Sequence, residues 1–367
     1  MSKLSKGLKV IEKLNSAGFE AYVVGGAVRD YLLHREISDI DITTNAKINE
    51  IALLFSNVNL EINDYAGITI CFEGEEFEIT SFRKDVAYND HRHPVVELVD
   101  NLADDLIRRD FTMNALAMDS KKNIIDLFAG VKSINEGVIY SIGDPRVRFN
   151  EDALRVLRAI YFSGKLGFKL DQDIIEAINS FDYVSYLPKE YIKSMVEKIL
   201  NLPNKIGLTY LSEYKILKGF PFYQVLVDEC LYYNACKDDM YALFYSLHGF
   251  LPENERITNE ERKYAKAIAY LVRNKFNGIS LYDSKGYLLV EAEKIYNLIN
   301  SIKLYNVVNL YNELPIHNIK DIKYDFSNVI NKKRSKIQNE VIELILVGKL
   351  NNSKEEIENF VNLRGNL

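Results

Sequence analysis

Residues 22–44 read YVVGGAVRDYLLHREISDIDITT, and three kinds of side-chain spacing follow one another within them. Ala21 to Val24 is a short apolar run of strand character that breaks at Gly25-Gly26, after which Val28, Leu32 and Leu33 recur at helical spacing. Asp39-Ile40-Asp41-Ile42 then alternates strictly. Successive strand side chains point to opposite faces, so the spacing predicts Asp39 and Asp41 on one face with Ile40 and Ile42 in a core. A strand, a glycine turn, a helix and a second strand bearing two carboxylates are expected, in that order.

A two-carboxylate platform opposite a glycine turn suits nucleotidyl transfer. Two hard oxygen ligands can hold a pair of Mg²⁺ ions, one activating an attacking hydroxyl and one neutralising a leaving pyrophosphate. Gly25 and Gly26 lack side chains, so backbone N–H groups opening a helix can approach a triphosphate, with Arg29 one turn on to add charge. Each fragment alone also fits a plain tight turn or a solvated strand edge.

Gly25, Gly26, Val28, Arg29, Asp30, Leu32, Leu33, Asp39 and Asp41 together resemble the opening signature of class II nucleotidyltransferases, G-G-x-V-R-D, L-L, then D-x-D. That family comprises CCA-adding tRNA nucleotidyltransferases and bacterial poly(A) polymerases. The resemblance implies an α/β N-terminal nucleotidyltransferase (polymerase-β-like) domain with a small mixed sheet, followed by all-α neck, body and tail. Asp39 and Asp41 would be the catalytic Mg²⁺ ligands, with Gly26 and Arg29 on the triphosphate. His34-Arg35 departs from the pattern, since the family usually has glycine after the two leucines.

Composition is compatible with this. The chain has 367 residues, 47% of them hydrophobic, enough to fill the cores of two or more domains. Cys71, Cys230 and Cys236 form no C-x-x-C and, with five histidines, no zinc spacing, which fits a reduced, cytoplasmic setting. The first residues, MSKLSKGLKVIEKLNSAGF, form an amphipathic helix pattern without a signal-peptide core, and no later stretch has the apolar length to span a membrane. A soluble, unprocessed protein is expected. The net charge of -6 argues against gripping nucleic acid with the whole surface, but leaves room for a local basic groove.

Leu4, Leu8, Ile11 and Leu14 predict a helix over residues 3–18, and Ile48 to Phe55 predicts another. Ile68–Phe72, Gly74 and Phe77–Thr80 predict a β-hairpin. Glu78 fits either a third acid near the pair or a solvated strand residue. Lys84 to Pro94 reads as a loop, rich in charge and closed by proline. In the family this region is a flexible loop that helps the site pass from CTP to ATP, and Asp85, Tyr88, Asp90 and Arg92 keep its character; an ordinary solvated loop fits equally. His91 and His93 read as surface histidines.

Arg108-Arg109-Asp110-Phe111-Thr112-Met113-Asn114-Ala115 matches the family's R-R-D-F-T-x-N-A motif. By that resemblance Arg109 contacts the nucleotide and Asn114 is a candidate for its ribose, while Asp126 to Gly130 closes the domain as a D-x-x-x-G turn. Residues 144–168 predict one neck helix with Asn150 as N-cap and Leu154, Leu157 and Phe162 as its apolar stripe. Asp152, Arg155 and Arg158 then share a face. Cytosine and adenine each present an amino donor beside a ring-nitrogen acceptor, so Asp152 with Arg155 would take C and A and reject U and G. This agrees with the family's E-D-x-x-R motif, carried by Glu151, Asp152 and Arg155. The family commonly continues the face with a third arginine where this chain has Tyr161, a change that either weakens nucleotide binding or offers a ring to stack on a base.

Beyond Phe168 the pattern is helical, and the tyrosines at 232–233 and 241–245 read as packing. The basic cluster Lys332, Lys333, Arg334 and Lys336 fits an RNA phosphate site or a solvated turn. The expected domains are a catalytic head (1–143), a neck with base recognition (144–200), a body (201–310) and a tRNA-binding tail (311–367). The resemblance thus implies template-independent addition of C, C and A to the tRNA 3′ end from CTP and ATP. The partner is tRNA, with neither membrane nor obligatory protein partner evident. A CC-adding or A-adding enzyme shares every motif. A poly(A) polymerase fits less well, because Tyr65-Ala66-Gly67-Ile68-Thr69 stands where that subgroup has a glycine-arginine-rich strand.

Overall fold

The computed structural model describes residues 2–55, 60–63, 67–88, 90–301 and 306–365; Tyr65 and Ala66 of the stretch just named, and Asn89 of the expected loop, lie outside them. The chain divides into two compact units, Met1–Gln224 and Val225–Leu367.

The first unit is built on strands β1 (Ala21–Val24), β2 (Asp41–Thr44), β3 (Leu60–Asn63), β4 (Gly67–Phe72), β5 (Glu75–Ser81), β6 (Arg83–Tyr88), β7 (Pro94–Leu98), β8 (Leu116–Met118) and β9 (Ile124–Asp126). Seven form one mixed sheet in the order β3-β4-β5-β2-β1-β8-β9. Its one parallel pairing, β2 on β5, sets Asp41 opposite Glu78, and the antiparallel β1–β2 register sets Val24 opposite Asp41. Helices α1 (Lys3–Ser16), α2 (Gly26–Leu32) and α3 (Ile48–Leu54) contribute Leu8, Ile11, Leu14, Val28 and Ile51 to the core on the Ile42 face. The opposite face packs Val24, Phe82 and Ala117 against Leu102 and Leu106 of α4 (Leu102–Ile107). Asp41 and Glu78 therefore project from the side that α1 and α3 do not cover.

Three expectations about the head and neck need correction. The strand does not begin at Asp39: β2 starts at Asp41, and Asp39 lies in the extended lead-in, although Ile40 and Ile42 are buried as the alternation requires. The segment read as a loop is largely a hairpin of β6 and β7, with a register shift between Asp85 and Ala87. The β-branched Val86, Val95 and Val96, the cross-strand Lys84–Glu97 ion pair at 3.1 Å and Pro94 at a strand start satisfy strand geometry despite the high charge. The neck helix is two helices, α6 (Pro145–Glu151) and α7 (Leu154–Leu166), after α5 (Gly130–Glu136). Asp144, with Pro145 behind it, caps α6 by accepting from the Arg146 N–H at 2.8 Å, so Asn150 is interior and Asp152 occupies the break.

Two glycine positions explain local motifs. Gly130 follows the carboxylate of Asp126, which accepts from the Gly130 N–H at 2.7 Å; a Cβ there would stand 2.4 Å from the Thr112 carbonyl oxygen. The D-x-x-x-G turn thereby locks onto the R-R-D-F-T segment. At position 34, where the resemblance leads one to expect glycine, His34 adopts φ +53°. This is the left-handed backbone that favours glycine, adopted at a strain cost to histidine.

In the second unit, Ile316, Ile322, Phe326, Val341, Ile345 and Ile357 form a core around the helices Asn331–Leu346 and Lys354–Gly365. Tyr241 is buried in this unit, but Tyr232 is 81% exposed, against the packing reading. No described helix is long and apolar enough to cross a membrane.

Two substitutions test this backbone account. His34→Gly is expected to raise stability by about 0.5–1 kcal/mol in chemical denaturation. Gly130→Ala is expected to lower it by about 1–3 kcal/mol, because the Thr112 carbonyl must move.

Candidate active site

A cleft of about 750 Å³ opens in the first unit, and Gly25, Gly26, Arg29, Asp39, Asp41, Arg109, Asn114, Asp152, Arg155 and Arg158 all line it. Residues of the glycine turn and of the neck, far apart in the chain, thus share one cavity. The basic cluster does not join it: Lys332, Lys333, Arg334 and Lys336 lie on the first turns of the Asn331–Leu346 helix in the second unit. There Arg334 donates to the Ser327 and Val329 carbonyls at 2.8 and 3.2 Å, so it holds the chain, while Lys332 and Lys336 are exposed.

The glycine turn is shaped by charge beneath it. Gly25 has φ +71°, and a Cβ there would come 2.9 Å from Arg109 Nη1. Arg29, buried, donates to Asp30 Oδ1 at 2.9 Å and to Asn114 Oδ1 at 2.6 Å. Asn114 Nδ2 donates in turn to Asp110 Oδ1 at 3.0 Å, and Arg158 Nη2 lies 2.6 Å from Asp110 Oδ2. Phe162 completes this group, with the Arg29 and Arg158 guanidiniums 5.1 and 5.2 Å from its ring centre. Asp105, wholly buried, accepts from Arg108 at 2.8 Å and from Arg109 at 3.2 Å.

Burial alone would raise the carboxyl pKa values of Asp105 and Asp110. The arginines and hydrogen-bond donors around them outweigh it and hold both below the ordinary value of 3.8. At the cleft mouth the balance reverses. Protein surrounding the Asp41 carboxyl pushes it up, as do Glu78 and Asp39, although Arg109 opposes them. Asp39 is 87% exposed; its carboxylate accepts from Ser38 Oγ at 2.9 Å and stands 3.9 Å from Lys3 Nζ.

Asp39 and Asp41 bring two hard carboxylates to one mouth, but among the described residues no group of three or more His, Cys, Asp or Glu could enclose a metal. That donor set suits a divalent ion that keeps water and takes phosphate oxygens from a substrate. The nucleotidyltransferase family generally uses such ions.

At the other end, Asp152 is pushed up by burial, with Arg92 and Arg155 opposing. Arg92 Nη1 lies 3.2 Å from Asp152 Oδ2 and its guanidinium stacks 5.3 Å over the Tyr191 ring. Arg155 is buried and donates to the Arg148 and Arg108 carbonyls, Glu151 and the Tyr88 hydroxyl. The helix break is stapled by the hairpin tip: the Ala153 N–H donates to the His91 carbonyl at 2.9 Å, and His91 Nδ1 lies 2.6 Å from the Asn150 carbonyl. His91 also stacks on Tyr186, with ring centres 3.8 Å apart. Among the described residues, the Nε atoms of Arg92 and Arg109 are buried without a hydrogen-bond partner.

Sequence reading missed the roles of Asp105, Asp110 and Phe162 and the Arg92–Asp152 pair. Asp105 had a signal, since it stands three and four residues before Arg108 and Arg109 on a helical run. The others meet only through tertiary structure.

Residues 21–140 match the family model described as the Poly A polymerase head domain. The CCA-adding enzyme of Bacillus licheniformis is 31% identical over 400 aligned positions that cover 97% of each chain. The crystal structure of the Bacillus stearothermophilus CCA-adding enzyme in complex with CTP superposes with a TM-score of 0.77 at 25% identity, covering 100% of this chain and 98% of that one. The Thermotoga maritima CCA-adding enzyme complexed with tRNA shares the fold, with a TM-score of 0.67 at 19% identity over 97% and 94% of the two chains. The chain belongs to the family of CCA-adding enzymes.

The buried carboxylates set a pH dependence. Their depressed values mean that the ionised forms stabilise the fold above the unfolded value of 3.8, and that this contribution is lost as pH falls through the depressed values. Urea midpoints are therefore expected to fall below about pH 4. Asp105→Ala, which strands two guanidiniums, is expected to cost about 3–5 kcal/mol at neutral pH and to flatten the acid slope.

Proposed function

We propose that this chain adds C, C and A to the 3′ end of tRNA from CTP and ATP, without a nucleic acid template, releasing pyrophosphate. The observation that carries the reading is the single cleft joining the glycine turn, the Asp39–Asp41 mouth and the Asp152–Arg155 end, in a chain nearly a third identical over its length to a CCA-adding enzyme.

The tRNA 3′ hydroxyl is the nucleophile, so the protein supplies orientation and charge rather than a covalent partner. Asp39 and Asp41 would hold the divalent ions, Mg²⁺ by the hardness of the donors. Those ions, when bound, activate the hydroxyl and neutralise the leaving pyrophosphate. The Gly25-Gly26 backbone and Arg29 face the triphosphate, and Arg29 is held in one orientation by Asp30 and Asn114. Arg109 lines the cleft beside Gly25 and Asn114 has a second amide hydrogen, which suits contacts to nucleotide oxygens. Asp152 accepts from the amino group of C or A while Arg155 donates to the ring nitrogen. Arg92 occupies Asp152 in the structure, so an entering base must displace it. Arg158, paired with Asp110, fixes the neck against the head beside the nucleotide.

The head, neck, body and tail boundaries at 143, 200 and 310 are retained as the functional division of this reading, with Lys332, Lys333 and Lys336 as the phosphate contacts of the tail.

Purified protein incubated with tRNA lacking CCA, Mg²⁺ and CTP plus ATP is expected to lengthen the tRNA by three nucleotides, and by fewer with either nucleotide alone. Arrest at two with both present would instead identify a CC-adding enzyme. Asp39→Ala and Asp41→Asn are each expected to cut incorporation by at least about 10³-fold with melting temperatures little changed. Unchanged incorporation in either variant would overturn the metal-ligand assignment.

A further inference from the structure

The cations of the cleft are nearly all committed. Arg29 pairs with Asp30, Arg108 and Arg109 with Asp105, Arg158 with Asp110, Arg92 with Asp152 and Arg155 with Glu151. Lys165, in the last turn of α7, lines the same cleft and is half-buried. Among the described residues its ammonium has no hydrogen-bond or carboxylate partner. It rests 5.9 Å from the ring centre of Tyr161, one helical turn back.

Its position is nevertheless held. Arg35 Nη1 donates to the Lys165 main-chain carbonyl at 3.2 Å, tying the end of α7 to the connector that leads to Asp39. Asp152, beyond the opposite end of α7, lies about 20 Å away along the axis, by the 1.5 Å rise over thirteen residues. The base-reading end and the Lys165 end are thus separated by the full length of the helix. An unpaired ammonium in a cavity already crowded with guanidiniums is electrostatically unfavourable until an anion enters. A compact point charge on a flexible stem also suits polyphosphate oxygens, which need no bidentate geometry.

We infer that Lys165 contacts the outer phosphates of the incoming nucleoside triphosphate, supplying from one turn further along α7 the cation that Tyr161 does not carry. The inference rests on the nucleotidyl-transfer reading above. Tyr161 then serves as the rest on which the ammonium sits before substrate arrives, and Arg35, itself at a departure from the family pattern, holds the backbone that aims it.

Equilibrium binding of CTP, CMP and cytidine to the full chain tests this, with Lys165→Gln, Lys165→Arg and the double variant Tyr161→Arg/Lys165→Gln beside the parent. Lys165→Gln is expected to weaken CTP about tenfold, the loss of one charged contact, and to leave CMP and cytidine within about twofold. Lys165→Arg should retain CTP binding, and the double variant should regain it. Equal CTP binding by Lys165→Gln would overturn the assignment, as would equal losses for CTP and CMP, or a raised KM for tRNA with CTP affinity intact. Failure of the parent protein to bind CTP would remove the nucleotidyl-transfer reading itself. Melting temperatures of all variants, expected to match the parent, exclude a loss by unfolding.

Discussion

The buried carboxylate of Asp110 holds the head to the neck. It accepts from Arg158 on α7 and from Asn114, and Asn114 passes the constraint to Arg29 beneath the glycine turn. Each member would be costly to bury alone, because an isolated charge loses its hydration. Together they satisfy one another, so the helix carrying Arg158 and the turn carrying Gly25 cannot move independently without exposing an unpaired charge. The buried Phe162 ring lies 5.1 and 5.2 Å from the Arg29 and Arg158 guanidiniums at the same junction.

A second constraint acts at the other end of α7. The neck helix breaks at Asp152, and a break leaves backbone groups unpaired. The β6–β7 hairpin supplies the missing partner by placing the His91 carbonyl on the Ala153 N–H, and its Arg92 neutralises Asp152. The segment whose sequence reads as a charged loop thus becomes the wall that holds the carboxylate assigned to base selection. A hairpin outside the main sheet with strongly charged strands has few contacts of its own to stabilise it, so its geometry depends on this docking.

Much of the head is legible in local sequence patterns. The glycine turn and the Ile40/Ile42 alternation appear where spacing places them, and the R-R-D-F-T segment, found by its resemblance to a family motif, lines the same cleft. Even at His34, where the resemblance leads one to expect glycine, the backbone is left-handed. The failures share one cause. Helical periodicity runs unbroken through residues 144–168, and charge density marks 84–94 as a loop, because neither signal contains the partner from the other segment. The break and the hairpin stabilise each other only once the chain has folded.

Composition, spacing and motif by themselves placed the α/β head, the helical remainder and the buried Ile40 and Ile42 that flank Asp41, because strand and helix periods and backbone freedom at glycine are properties of neighbouring residues; the family resemblance added Asp39, Asp41, Asp152 and Arg155 as candidates. Tertiary structure alone decided which charges pair across distant segments, that Arg92 covers Asp152, and that Lys165 is left without an anion among the described residues. Electrostatic pairing falls off within a few ångströms and is set by which distant segments meet in a cavity of low dielectric, and spacing along the chain carries no record of that meeting.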